Sequence, residues 1–232
     1  ICEVLAARHP RRLLAVYRRI LRAPSRFASV PFAELLPRLA LPKSDVVSAL
    51  VEGVQSENPN IRQGALYQLC DFDPDICVPL LVRVLDSLPE SPRLVPGEQY
   101  GASYGELLSH DVVHLDRKPA WVALERAARR ADPPDRLDLL TTGRFGSRSA
   151  SRELHKLALL AGFLNDQSHV DVSALYAGRA PAPEGQWRIC DHVAREMARI
   201  LRVREEPDPE WSLAEWDAFI SRVRDEFEKR DK

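Results

Sequence analysis

The sequence predicts an all-α protein, a single domain spanning residues 1–232 and built from stacked helical hairpins. Three observations carry this expectation. Apolar residues recur at helical spacing along almost the whole chain of 232 residues. No run of alternating β-branched residues bounded by turn signals marks a strand, so no sheet is expected. Proline, asparagine and aspartate punctuate the periodic stretches at short intervals, joining helices into tight pairs.

The first helix is expected from Pro10 to about Ala23, with Leu13, Leu14, Tyr17, Ile20 and Leu21 in one stripe and Pro24 ending it. A second covers Pro31 to Leu41, and a third starts at Ser44 as N-cap with Val46, Val47, Leu50 and Val54 facing inward. Glu57-Asn58-Pro59-Asn60 reads as a turn, after which Ile61, Ala65 and Leu69 recur at intervals of four along a helix ending near Asp71. Asp73 and Pro74 supply an N-cap and a first-turn proline for the next helix, whose stripe is Val78, Leu81, Val84, Leu85 and Leu88.

From Pro89 to Leu115 the period breaks up, and residues 89–115 are expected to form a long irregular loop projecting from the helical stack. Helices return over Pro119 to Ala131 and over a short stretch from Asp132-Pro133 to about Leu140, with Gly143 to Ser151 as a basic connector. The stretch from Ser151 to Asn165 carries Leu154, Leu157, Ala161 and Leu164. That from Gln186 to Arg202 carries Ile189, Val193, Met197, Ile200 and Leu201. In the last helix Ser212 and Glu215 form a capping box and Trp211 and Trp216 a hydrophobic staple, followed by the stripe Trp216, Phe219, Ile220, Val223 and Phe227.

Hydrophobic residues make up 45% and charged residues 29% of the chain, an ordinary globular composition. No stretch approaches the ~20 uninterrupted apolar residues of a membrane span, which excludes a membrane partner of that kind. The four cysteines, Cys2, Cys70, Cys77 and Cys190, are too scattered for a disulfide framework. They read as core thiols, placing the chain in a reducing compartment such as the cytoplasm. The chain opens on Ile1 with no basic-then-apolar leader, and Cys2, Val4 and Leu5 read as the end of an apolar helix, so further residues are expected before it. Net charge is −1, but residues 1–40 hold eight arginines while the C-terminal stretch is acidic, making the molecule dipolar. The excess of arginine over lysine, with abundant alanine and proline, points to GC-rich coding and a bacterial source.

Ile61, Arg62, Ala65 and Leu69, following the Asn58-Pro59-Asn60 turn, resemble the second helix of a HEAT repeat. The segment Ile189-Cys190-Asp191-His192-Val193-Ala194 with Met197 is similar to a degenerate copy of the bacterial type, with Cys190 replacing the usual arginine. Residues 61 and 189 are 128 apart, close to three periods of the ~40 to 47 residues of such repeats. The resemblance implies an α-solenoid whose concave or edge surface binds a protein partner or a neighbouring domain of its own longer chain. It implies no reaction and no cofactor.

The candidate chemistry is weighed against structural roles. His110 and His114 share a helical face with Asp111 and Asp116 nearby, but the glutamate of a His-Glu-x-x-His zinc motif is missing, so no metal site is assigned. Cys70 and Cys77 are too far apart for a zinc knuckle and read as core residues. Cys190 and His192, two apart on a helix, point in different directions and make no nucleophile and base. Arg62 and Asp191 read as structural contacts near helix starts. Gly143 to Gly146 lacks the lysine and flanking strand of a phosphate loop. The tentative partner-binding residues are Tyr100 and Tyr104 in the expected loop and Arg11, Arg18 and Arg22 on the first helix, in a stripe that also includes Arg12, Arg19 and Arg26. Near-zero net charge disfavours nucleic acid. The alternative is an enzyme resembling HEAT-like alkylpurine DNA glycosylases, for which a concave face lined by arginine with a Trp and Asp pair would speak.

Overall fold

The structure, a computed structural model, describes residues 8–22, 31–56, 58–88, 104–140, 150–171, 186–205, 207–208 and 211–230. Within these residues the all-α expectation holds, apart from one small ribbon. The helices are α1 (Pro10–Leu21), α2 (Pro31–Leu35, continued by a 3-10 turn over Leu36–Arg38), α3 (Lys43–Val54), α4 (Pro59–Phe72), α5 (Pro74–Asp86), α6 (Tyr104–Leu115), α7 (Lys118–Arg130), α8 (Pro133–Leu140), α9 (Ala150–Ala161), α10 (Ile189–Leu201) and α11 (Leu213–Arg230). The continuation before Ile1, the Gly143 to Gly146 connector, Tyr100 and Arg26 lie outside the described residues.

Local chemistry explains most of the helix starts. Asn58 accepts from the Ile61 amide at 3.4 Å at the head of α4, and Asp73 accepts from the Ile76 amide at 3.4 Å at the head of α5. The capping box of α11 forms as expected, with Glu215 accepting from the Ser212 amide at 2.7 Å and Ser212 from the Glu215 amide at 3.4 Å. Trp211 and Trp216 meet edge to face at 5.5 Å, the staple that fixes the entry to α11. Ser44 is not the cap of α3: the helix begins one residue earlier, behind the extended Pro42.

Packing alternates along the chain. Consecutive helices pack on one another, α3 with α4, α7 with α8 and α9 with α10. The even-numbered helices also form a series, with α2 on α4, α4 on α6, α6 on α8 and α8 on α10, while α1 packs on α3, α5 on α7 and α7 on α9. The core runs continuously through this arrangement, from Leu13 and Tyr17 through Leu50, Leu66, Leu81, Leu108, Leu124 and Leu160 to Met197 and Phe219. The α11 stripe of Trp216, Phe219, Ile220 and Val223 is buried against α10, as expected of a terminal helix. Where α1, α3 and α4 meet, Gly53 lets the Tyr17 ring lie against the helix backbone.

The structure corrects four further expectations. Residues 104–115 of the expected loop form helix α6, with Tyr104, Leu108, Val112 and Leu115 buried; residues 89–103 lie outside the described set. His169–Asp171 and Gln186–Arg188 pair antiparallel, Val170 opposite Trp187, so a two-stranded ribbon exists. Each strand holds three residues with one buried apolar side chain, too short for a period of two to register in sequence. Leu154 is 45% exposed, because α9 turns Lys156, Leu157, Leu159 and Leu160 inward instead. Cys70 and Cys77 do lie in the core, but as a disulfide linking α4 to α5 across the Asp73-Pro74 turn, Cα to Cα 5.1 Å. The cysteine pattern therefore gives no argument for a reducing compartment. No helix among the described residues is long and apolar enough to cross a membrane.

Candidate functional site

Helices α4 and α6 of the even series carry a set of interacting aromatic and polar side chains that reaches from the core to the surface. On α4, Gln63, Tyr67 and Asp71 recur at intervals of four and so form one row. Gln63 is buried, Tyr67 is 39% exposed and Asp71 is exposed. On α6, His110 and His114 also lie one turn apart, with Asp111 beside them and 1% exposed. The two rows meet. The Tyr67 and His110 rings lie 6.1 Å apart, the His110 and His114 rings stack at 6.3 Å and 7°, and His114 Nε2 bonds Asp71 Oδ1 at 2.6 Å.

Beneath this ladder is a buried polar layer. Gln63 Nε2 donates to Asp111 Oδ2 at 2.9 Å, and Asp111 Oδ1 faces His110 Nδ1 at 3.9 Å, beyond hydrogen-bond length. Burial pushes the Asp111 carboxyl above the ordinary carboxylate range, with His110 and Gln63 pulling it back. Gln63 Oε1, Asp111 Oδ1 and the Ser109 hydroxyl find no hydrogen-bond partner among the described residues. Arg62 donates to the Ser56 carbonyl at 3.1 Å, so it ties down the preceding turn; it also stands beside the Tyr104 hydroxyl. Burial raises the Tyr67 hydroxyl above its ordinary range, and the carboxylates of Asp71, Asp111 and Glu34 on α2 add to the rise.

Of the expected site residues that are described, the arginines lie on or at the end of α1 and Tyr104 on α6. Arg11 on α1 and Arg22 at its C-cap are exposed, whereas Arg18 pairs with Glu52 on α3 at 2.9 Å and is committed to holding the two helices. Tyr104 is 8% exposed, so it is core and not a displayed interface residue. Arg8, His9, Arg11 and Arg12 border a shallow groove of about 330 Å³ closed on its other side by Ala40, Leu41 and Pro42. His110 and His114 do share a face, but His114 is held by Asp71, and no group of three metal-ligating side chains occurs among the described residues. The missed residues are Tyr67 and Asp71, whose only sequence signal is their spacing of four on the side of α4 away from Ile61, Ala65 and Leu69.

Two other polar clusters are structural in character. At the α6–α7 turn Asp116 adopts a left-handed φ of 49°. Its carboxylate accepts from Trp121 Nε1 at 3.1 Å, bonds His155 Nδ1 at 2.9 Å and accepts from the Ser151 hydroxyl. Near the C-terminus Arg188, 5% exposed, donates to both Asp191 oxygens and to Asp217, joining the ribbon to α10 and α11. Burial raises the Cys190 thiol to about 11, helped by Asp191, and His192 lies against the Trp187 ring at 4.7 Å. Cys190 is therefore no thiolate nucleophile.

No family model matches the chain, and no curated protein or solved structure matches it either.

Proposed function

We propose that this chain is a non-catalytic HEAT-like scaffold that binds a protein partner, or a neighbouring domain of its own longer chain, through the outer side of α4 and α6. The observation that carries the reading is the alternating packing, in which even-numbered helices follow one another from α2 to α10 while each also pairs with a chain neighbour. Such an arrangement presents successive second helices side by side, the geometry on which helical-repeat proteins build a binding surface. The side chains support it: Tyr67, His110, His114, Asp71 and Glu34 make a mixed aromatic and polar surface, of the kind enriched at protein interfaces.

The DNA-glycosylase alternative calls for an arginine-lined face with a Trp and Asp pair, and Trp121 with Asp116 is one such pair. That pair is unsuited to receive a base, because Trp121 is 6% exposed and Asp116 is bonded by the side chains of Trp121, His155 and Ser151. The exposed arginines of the expected stripe, Arg11, Arg12, Arg19 and Arg22, lie on α1 or at its C-terminal end and not in the even-numbered row. The test is passage of the full chain over immobilised duplex DNA at about 150 mM salt, where phosphate-dominated binding still retains a DNA-binding protein. The chain is expected in the flow-through. Retention there would overturn the scaffold reading.

A further inference from the structure

The aromatic ladder on α4 and α6 has a definite electrostatic character. Tyr67 presents its ring to solvent at 39% exposure, flanked on the same helix by Asp71, whose side chain is 51% exposed. Asp71 and Asp111 act on the Tyr67 hydroxyl from α4 and α6, and Glu34 acts from the neighbouring α2. The groups acting on this ring are thus carboxylates contributed by three helices. Beneath the ring Asp111 is 1% exposed, held by Gln63 at 2.9 Å and facing His110 at 3.9 Å. An electron-rich ring face beside carboxylates is a setting that attracts a cation, and guanidinium stacks on such rings while reaching carboxylate oxygens.

We propose that the Tyr67–His110–His114 ladder, with Asp71 and Glu34 at its edge, is a docking site for an arginine-bearing basic segment of the partner protein. This rests on the scaffold reading above and names the chemistry of its partner. The arginine would lie on the exposed Tyr67 ring and turn its fork toward Asp71, whose second oxygen is not the one bonded by His114. Arg62, on the same helix as Tyr67, donates to the Ser56 carbonyl.

The test is a fluorescence-anisotropy titration of the full chain against a fluorescein-labelled peptide of alternating arginine and serine, with an alternating glutamate and serine peptide as the second probe. The arginine peptide is expected to bind and the glutamate peptide not to. Tyr67→Ala should weaken binding about tenfold, the scale of a partly desolvated cation–π contact, and Asp71→Asn about threefold, that of an exposed ion pair. Tyr67→Phe keeps the ring and Glu125→Gln alters a carboxylate on α7, so both should stay within about twofold. Should Tyr67→Ala lose its helical signal, Tyr67→Leu and Asp71→Asn decide the matter. The proposal is overturned if the arginine peptide binds no tighter than the glutamate peptide, or if the ring and carboxylate variants fold and bind as the wild type does. A chain that passes freely over DNA yet fails with the peptide keeps the scaffold reading and loses this one.

Discussion

Replacing Gly53 by alanine separates the packing account from helix propensity, because the two predict opposite signs. Gly53 lies inside α3, where alanine is favoured by about 1 kcal/mol on propensity alone. Yet a Cβ at this position would stand 2.1 Å from the Tyr17 hydroxyl oxygen and 2.7 Å from the Ala65 Cβ, so both α1 and α4 would have to retreat. Overpacking a core in this way costs about 1 to 3 kcal/mol, and contact on two sides places this site near the upper end. The net loss expected is about 2 kcal/mol, or about 4 to 8 °C in Tm for a chain of this size.

Tyr17→Phe completes the cycle. The Tyr17 hydroxyl is buried without a hydrogen-bond partner among the described residues, so its removal should be neutral or stabilising by about 1 kcal/mol. With the hydroxyl gone, the nearest atom of that ring is Cζ at 3.3 Å, and the main remaining clash is with Ala65. The double variant Tyr17→Phe/Gly53→Ala should therefore recover about 1 kcal/mol relative to additivity. Urea denaturation followed by far-ultraviolet circular dichroism gives all four stabilities. A Gly53→Ala protein more stable than the wild type would refute the reasoning, since propensity would then outweigh packing.

Three further outcomes are expected. Burial pushes His192 down to about 4, Asp191 opposing and Arg195 assisting; an unfolded histidine titrates near 6.5. The unfolded chain then binds the extra proton first. Stability present above pH ~6.5 should fall by on the order of 3 kcal/mol as pH drops to about 4 and level off below, and denaturation of His192→Phe should show that slope removed. Trp216→Ala should cost about 3 to 5 kcal/mol, because the ring is 4% exposed and packs on Trp187, Trp211 and Phe219; a loss under about 1 kcal/mol would mean that α11 is not docked. Arg188→Met should cost about 3 to 5 kcal/mol by leaving Asp191 buried and unpaired, and Arg188→Met/Asp191→Leu should regain most of it in the same assay.

The helices that were legible in the sequence are those whose signals are local. Asn58, Asp73 and the Ser212–Glu215 box each satisfy amides within three residues of themselves, so the sequence carries cause and effect together. Helix α6 was not legible because its inward stripe of Tyr104, Leu108, Asp111 and Leu115 contains a carboxylate. A charged residue on that stripe breaks the apolar period. The partner that makes its burial tolerable, Gln63, lies 48 residues away. The ribbon was hidden for a related reason: Val170 and Trp187 are its only buried apolar side chains, and each strand is legible only through the other.

The same separation governs the candidate site. Each helix shows its own half, Tyr67 with Asp71 and His110 with His114, as a pair spaced by four. Taken alone, the histidine pair reads as a possible metal site and the tyrosine pair as an ordinary solvated face. Only the register between α4 and α6 places His114 on Asp71 and Tyr67 beside His110. That register is fixed by apolar residues such as Leu66, Leu69, Leu108 and Val112, which are fully buried in the shared core. The places where a sequence breaks its own pattern are where strain or function is expected. Here the break, Asp111 on an inward stripe, lies beneath the exposed aromatic ladder described on these two helices, so the polar residue that obscured the helix also adds to the effect that Asp71 has on the Tyr67 hydroxyl above it.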